Sequence, residues 1–237
     1  MKWTNEATGR TIEIYNEDCM PALAKMQENE FELAIVDPPY GIGADKVQND
    51  QSDSGRISNG GTWKKYKQTK WDNNIPDSNF FSQLIKKTKN QIIWGGNYFY
   101  DLNLNGIIIW NKGKNLNMKE GELAKSSFNT FKIYYCSRTD AYINDCDMKI
   151  HPTQKPVALY KWLLKNYAKP NDKILDTHLG SGSIAIACND MGFDLTGYEL
   201  DKEYFDGAVK RLANHKAQGD LFSGQNMEEY KQEELNL

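Results

Sequence analysis

An α/β fold with a mostly parallel sheet is predicted by three features of this chain. The first is its opening. An alternating run at Thr11–Asn16, a helix-like segment from Pro21 to about Gln27 and an apolar run at Leu33–Val36 read together as β-α-β. The second is Lys173–Cys188, KILDTHLGSGSIAIAC, where a short strand passes through a glycine turn into a small-residue helix. The third is the placing of acids. Asp18, Asp37, Asp176 and Glu199 each follow an apolar strand, and parallel sheets collect ligands beyond the C-terminal ends of their strands.

The chain has 237 residues, enough for one sizeable core. Residues 1–222 read as a single domain, with 44–76 a long loop inside it and 223–237 a short, acidic, mobile tail. Hydrophobic residues make up 39% and the mean hydropathy is -0.72, and no apolar run approaches membrane-spanning length. The N-terminus, MKWTNEATGR, lacks the apolar core of a signal peptide. Cys19, Cys136, Cys146 and Cys188 are scattered without a CxxC pair, which points to reduced thiols in a cytosol. His151, His178 and His215 show no metal-ligand spacing, so no metal is expected. A formal charge of -3 leaves any polyanion binding to a local patch.

Taken in order, Thr11–Asn16 is the first strand. Pro21 suits the first position of the helix that follows. Asp18 and Cys19 stand between them, and Asp18 either caps that helix or faces a ligand. The next strand, in FELAIVDPPY (Phe31–Tyr40), is apolar throughout, as a strand covered on both faces must be. It ends in a rigid corner. Pro38 and Pro39 have fixed φ and no N–H, and Pro38 holds Asp37 out of the α region. A carboxylate, stiff carbonyls and the Tyr40 ring are thus gathered at a sheet edge. A planar group with an exocyclic amine could stack on Tyr40 and donate to Asp37 and the Pro38 carbonyl. The plainer reading is a proline turn in which Asp37 caps local backbone.

Ala44–Pro76 is long and polar, and within it lies WKKYKQTKW. Lys64, Lys65, Lys67 and Lys70 alternate there with Trp63, Tyr66 and Trp71. Such a mixture fits phosphates and stacked bases, or a solvated surface loop. Asp77 or Ser78 caps a helix running to about Asn90, with strands at Gln91–Trp94, Gly106–Trp110 and Asn129–Cys136. Lys119–Lys125 reads as a short helix and Ser137–Ile150 as a polar connector. His151–Pro156 (HPTQKP) is an extended turn leading into a helix with Leu159, Leu163 and Leu164 inward. Beyond the Asp176 strand, Gly180, Ser181 and Gly182 form a nucleotide-type loop before a helix N-terminus. The strand DLTGYEL then ends at Glu199, which either caps the helix from Asp201 to Gln218 or accepts ribose hydroxyls.

DPPY, HPTQKP and DTHLGSGS, in this order, resemble the beta group of amino-methylating DNA methyltransferases that use S-adenosylmethionine. In that group the target-amine motif precedes the cofactor loop, so the motif order is permuted. The resemblance spans about Tyr15–Leu212. It implies a Rossmann-like, seven-stranded mixed sheet with one antiparallel strand and helices on both faces. It implies that Asp37, Pro38, Pro39 and Tyr40 hold a flipped base by its amine. Asp176, Gly180, Ser181 and Gly182 would hold the methionine and ribose side of the cofactor, Glu199 the ribose hydroxyls, and Asp18 and Cys19 its adenine. His151, Lys155 and Pro156 would stand near the methionine end.

The resemblance further implies a restriction–modification type of enzyme in the cytoplasm of a bacterium or its phage, with duplex DNA as partner. It also implies S-adenosylhomocysteine as product, and it leaves a homodimer open. Asp at position 37 points to adenine N6, with cytosine N4, RNA adenine or a non-catalytic nucleic-acid-binding relative as alternatives; a protein-glutamine methylase would carry Asn there. Two departures stand out. Asp176-Thr177-His178 replaces the family's frequent Asp-Pro-Phe, and Ser137–Ile150 is too short for a target-recognition segment. Site specificity would then fall to residues 44–76, to a partner subunit, or be weak.

Overall fold

The apolar runs of the sequence become the spine of one sheet. A computed structural model describes residues 1–43, 72, 74–100, 102–113, 120–137, 150–151 and 153–217. Its strands are β1 (Lys2–Thr4), β2 (Thr11–Tyr15), β3 (Phe31–Val36), β4 (Thr88–Trp94), β5 (Gly106–Asn111), β6 (Gly121–Ser126), β7 (Phe131–Tyr135), β8 (Lys173–Asp176) and β9 (Asp194–Tyr198). Its helices are α1 (Cys19–Lys25), α2 (Ser78–Lys87), α3 (Val157–Tyr167), α4 (Ser183–Met191) and α5 over residues 202–217. The strands lie in the order β1-β2-β9-β8-β3-β4-β6-β5-β7.

From β2 to β4 every pairing is parallel. β6 runs antiparallel to both β4 and β5, β7 is parallel to β5, and β1 is antiparallel to β2. The seven strands implied by the resemblance are therefore present as β2 to β5 in sheet order, with β6 reversed. Among the described residues the count is nine instead of seven, because β1 and β7 extend the two edges. β1 is only three residues long, too short to show a period. It is held by its register on β2, Lys2 opposite Glu13 and Thr4 opposite Thr11.

Alternation along the central strands feeds two cores. Leu33 and Ile35 of β3 join Ile92, Trp94 and Ile174 under α3 and α4. Ala34 and Val36 face the other way with Ile93 and Leu175, under Leu23 of α1 and Phe80, Phe81 and Leu84 of α2. Helices thus cover both faces, and β3 is apolar throughout for that reason. Leu159, Leu163 and Leu164 are fully buried, as predicted. Each such side chain contributes about 1.5–3 kcal/mol of burial.

Three local expectations are corrected. α1 begins at Cys19, so Pro21 is its third residue, still within the first turn where no N–H is needed. α2 stops at Lys87 instead of Asn90, because Thr88 and Asn90 take up ladder positions opposite Phe31 and Leu33. Lys119–Lys125 is not helical over its described part. Gly121–Ser126 is a strand zipped between β4 and β5, and two ladders outweigh a weak local helix preference. Among the described residues, no helix is long and apolar enough to cross a membrane.

Candidate active site

Because β2, β9, β8, β3 and β4 run parallel, their C-terminal ends share one edge of the sheet. Asp18, Glu199, the Asp176–Gly182 loop, Asp37–Tyr40 and Gly95-Gly96 all follow those ends. β3 and β8 are direct neighbours, so the proline corner and the glycine loop stand side by side.

At the proline corner both oxygens of Asp37 are engaged. Oδ1 accepts the Tyr40 hydroxyl at 2.5 Å and Oδ2 meets Lys155 Nζ at 2.5 Å. Lys155 is almost fully buried, and its ammonium also reaches Glu122 Oε2 at 3.0 Å and the Tyr40 hydroxyl at 3.3 Å. The other oxygen of Glu122 pairs with Lys112. Two acids and two lysines thus alternate in a chain, Asp37–Lys155–Glu122–Lys112. Burial pushes Asp37 above the usual carboxylate range, against the pull of Lys155. Burial would raise Glu122 as well, but Lys155 and Lys112 outweigh it and hold that acid down to about 2. Burial likewise opposes the charge on Lys155, and Asp37 and Glu122 restore it.

The Tyr40 ring stacks on Tyr98, with centroids 5.2 Å apart and planes 18° from parallel, and Phe99 meets it edge-on. Gly95 makes this possible. Its φ is +70°, and a β-carbon there would stand 2.2 Å from Tyr40 Cε1. The backbone of the corner is clamped by buried Asp72, whose Oδ1 accepts the Tyr40 N–H at 2.6 Å and the Gly41 N–H at 2.9 Å. Asp37 does not cap local backbone in any of these contacts; it meets side chains from two elements.

The glycine loop is built for close approach. Gly180 and Gly182 have φ of +53° and +72°, and Gly182 is the N-cap of α4. A β-carbon at Gly182 would come within 2.9 Å of Ala208, whereas at Gly180 the nearest atoms, in the His151 ring, would be 4.0 Å away. The Gly180 N–H donates to Glu199 Oε2 at 2.7 Å, and the Asp201 N–H donates to Oε1 at 2.8 Å. Asp201 is the cap of α5, accepting the Glu203 and Tyr204 N–H groups at 2.8 and 3.1 Å, and Glu199 braces that cap residue from behind. Each carboxylate oxygen still has a second lone pair. Burial lifts Glu199 to about 7 and Asp176 to about 8, the latter despite the His178 N–H at 3.0 Å. Arg211 of α5 ties the loop down through Ser181 O at 3.2 Å and Ser183 Oγ at 2.7 Å.

The His151 ring packs edge-on against Tyr204 at 4.2 Å, so the HPTQKP turn leans over Gly180. Pro156 is the N-cap of α3. Asp18 is exposed and caps α1 by accepting the Met20 N–H at 2.8 Å. Cys19 is buried, and burial pushes its thiol up to about 12, which removes it as a nucleophile. His178, pulled down to about 4 by burial, sits edge-on to Phe80 at 5.3 Å.

All described site residues expected from the sequence therefore fall on one edge. Trp63, Lys64, Lys65, Tyr66, Lys67, Lys70 and Trp71 lie outside the described residues. Lys155 reaches the proline corner itself. Sequence reasoning passed over Glu122, Lys112, Asp72, Tyr98 and Arg211. Glu122 was hidden in a stretch read as helix, and Asp72 in a long polar loop.

A family model described as DNA methylase, of the N6/N4 type, matches residues 56–210. The type II methyltransferase M.HpaI of Haemophilus parainfluenzae is 25% identical over 234 residues, covering 82% of this chain and 72% of that protein. The type II methyltransferase M.HinfI of Haemophilus influenzae is 29% identical over 99 residues, 42% of this chain and 28% of that one. Among solved structures, the M1.HpyAVI–SAM complex superposes with a TM-score of 0.54 at 18% identity, over 84% of this chain and 99% of its own. The cytosine-N4-specific PvuII DNA methyltransferase gives 0.54 at 13% identity, over 84% and 86%. These two likenesses show the fold.

Proposed function

Since this chain belongs to the DNA methylase family, in its beta group of amino methyltransferases, we propose that it moves a methyl group from S-adenosylmethionine to the N6 amine of an adenine flipped out of duplex DNA. One observation carries the reading: the proline corner of β3 stands beside the glycine loop of β8 on the same sheet edge. The residues present fit the cofactor. Gly180 holds a left-handed φ of +53° that favours glycine, and its β-carbon position is bordered at 4.0 Å by the His151 ring and the His178 carbonyl, which keeps the loop backbone close-fitting beside the sheet edge. Glu199 keeps lone pairs for two ribose hydroxyls. Asp18 and Cys19 would border the adenine end, and Asp176, Ser181, Gly182, His151 and Pro156 the methionine end. When bound, S-adenosylmethionine supplies an electrophilic methyl on a sulfonium.

The chain's own residues do the rest. An adenine amine is a weak nucleophile because its lone pair is delocalised into the ring. By accepting its N–H groups, Asp37 and the Pro38 carbonyl localise that lone pair toward the incoming methyl. As the N–C bond forms and the S–C bond breaks, the nitrogen sheds a proton. Asp37, held above the usual carboxylate range by burial, is placed to accept it. Taking the base out of the duplex costs roughly a few kcal/mol. Stacking on Tyr40 offsets about 1–3 kcal/mol of that. Tyr98 stacks on one face of the Tyr40 ring and holds it in place.

Asp at position 37 favours adenine over cytosine. The fold does not discriminate, since a cytosine-N4 enzyme superposes as well as any neighbour described above. The test is labelled-methyl transfer to unmethylated duplex DNA, with the product digested to nucleosides. Label in N6-methyldeoxyadenosine is expected, and Asp37→Ala should abolish it while cofactor binding persists. Label in N4-methyldeoxycytidine overturns the choice of base. Turnover retained by Asp37→Ala overturns the mechanism.

A further inference from the structure

Asp37 already holds two donors at 2.5 Å, Tyr40 on Oδ1 and Lys155 on Oδ2, so a substrate amine has to share the remaining lone pairs and the charge of the carboxylate with them. The amine's hydrogen bond strengthens when one of these contacts lengthens. Lys155 is the one with somewhere else to go. Its ammonium has three N–H donors and three acceptors within reach: Asp37 at 2.5 Å, Glu122 at 3.0 Å and the Tyr40 hydroxyl at 3.3 Å. It is also too deeply buried, with 2% of its side chain exposed, to turn to water instead.

Resting on the reading above, the geometry points to Glu122 as the positioning residue of this site: it receives Lys155 when Asp37 turns to the substrate amine. Glu122 touches no substrate in this scheme and acts through Lys155. The arrangement keeps a cation near Asp37 while easing its hold on the carboxylate. It also explains the placing of Glu122 on the one reversed strand of the sheet interior, where β6 lies against β4 and aims an acid across the ends of the parallel strands. Lys112, after β5, fixes Glu122 from the far side, so the acid stays put while the lysine moves. Without a carboxylate at position 122, the buried ammonium has Asp37 as its one strong partner and holds it.

The test is Glu122→Gln in the full chain. The amide keeps a hydrogen bond to Lys155, so the fold should survive, checked by S-adenosylmethionine affinity and melting temperature. Single-turnover methyl transfer at saturating cofactor and DNA should fall between roughly ten- and a hundredfold, with KM for DNA little changed. A pH profile adds a readout that a purely structural role would not move. The charged and titratable groups around Asp37 are Lys155 before α3, Glu122 on β6, Lys112 after β5, Tyr40 on its own loop, Tyr160 of α3 and Asp176 of β8. Removing the negative charge at 122 should move the acid limb of the rate to lower pH. Lys112→Gln should move it to higher pH, and Glu122→Asp should restore the parent limb. A Glu122→Gln protein with the parent's single-turnover rate and pH profile overturns the inference while leaving the methyl-transfer reading intact. A parent chain that transfers no methyl to duplex DNA overturns that reading itself.

Discussion

Gly95→Ala tests the architecture of the proline corner from its back wall. A β-carbon at position 95 would stand 2.2 Å from Tyr40 Cε1, 2.4 Å from Cδ1 and 2.7 Å from Cζ. Carbon contacts are comfortable near ~3.5 Å, so the ring must retreat by roughly 1 Å or more. The backbone resists as well: φ is +70° at Gly95, and a left-handed residue with a side chain costs about 1–2 kcal/mol. Overpacking adds about 1–3 kcal/mol. If the ring swings out instead, the stack on Tyr98 is lost at about 0.5–1.5 kcal/mol, together with the hydroxyl bond to Asp37. Taking about 3 kcal/mol as the centre, melting should fall by roughly 6–12 °C for a chain of this size. A ring displaced by about 1 Å can cost on the order of a hundredfold in rate. Gly9→Ala is the control. Its φ is +68° but nothing lies within 4 Å of the added carbon, so it carries the backbone cost alone and leaves activity at the parent level. Thermal melts and methyl transfer on both variants separate strain from clash. If Gly95→Ala matched Gly9→Ala in melting and the parent in rate, the reasoning about Tyr40 would fail.

Two further outcomes follow from the buried acids. Burial lifts Asp176 to about 8 and Glu199 to about 7, so the native state keeps protons that the unfolded chain has released; stability of the cofactor-free protein should fall as pH rises from about 4 toward 8. Asp176→Asn, neutral and of the same shape, should flatten that slope and exceed the parent in urea resistance near pH 8; an unchanged slope in the variant would remove Asp176 as its source. Asp72→Ala takes the acceptor from the half-buried Tyr40 N–H, at about 1–3 kcal/mol, and from the Gly41 N–H, which is exposed and can turn to water. Methyl transfer should drop while cofactor affinity holds, and undiminished transfer would detach Asp72 from the site.

Much of this was legible in the chain alone, because the signals were local. The apolar run Leu33–Val36, the doubled proline after Asp37 and the glycines at 180 and 182 each act through their own backbone or their immediate neighbours. Period and turn chemistry therefore carried β2, β3, α3, β8, α4 and β9, and with them both halves of the site. The order of DPPY before the glycine loop carried the family. Of the two sequence readings of Glu199, the cap of α5 went to Asp201, and Glu199 stands at the end of β9 beside the loop.

What the tertiary structure decided is everything that depends on a partner distant in sequence. Gly121–Ser126 became a strand because β4 and β5 offered ladders on either side, and no window of its own residues contains that fact. Lys155 looked like part of a turn at the cofactor's end. It meets Asp37, 118 positions earlier, because α3 and β3 pack through one core. Asp72 holds a corner thirty-odd residues before it, and Glu122 faces a lysine that follows it by as many. Residue type and spacing determined which chemistry this chain can carry: a carboxylate on a rigid corner and a glycine loop with an acid after it. Packing determined which charges surround that carboxylate, because electrostatic neighbours are set by distance in space, and distance along the chain says little about them.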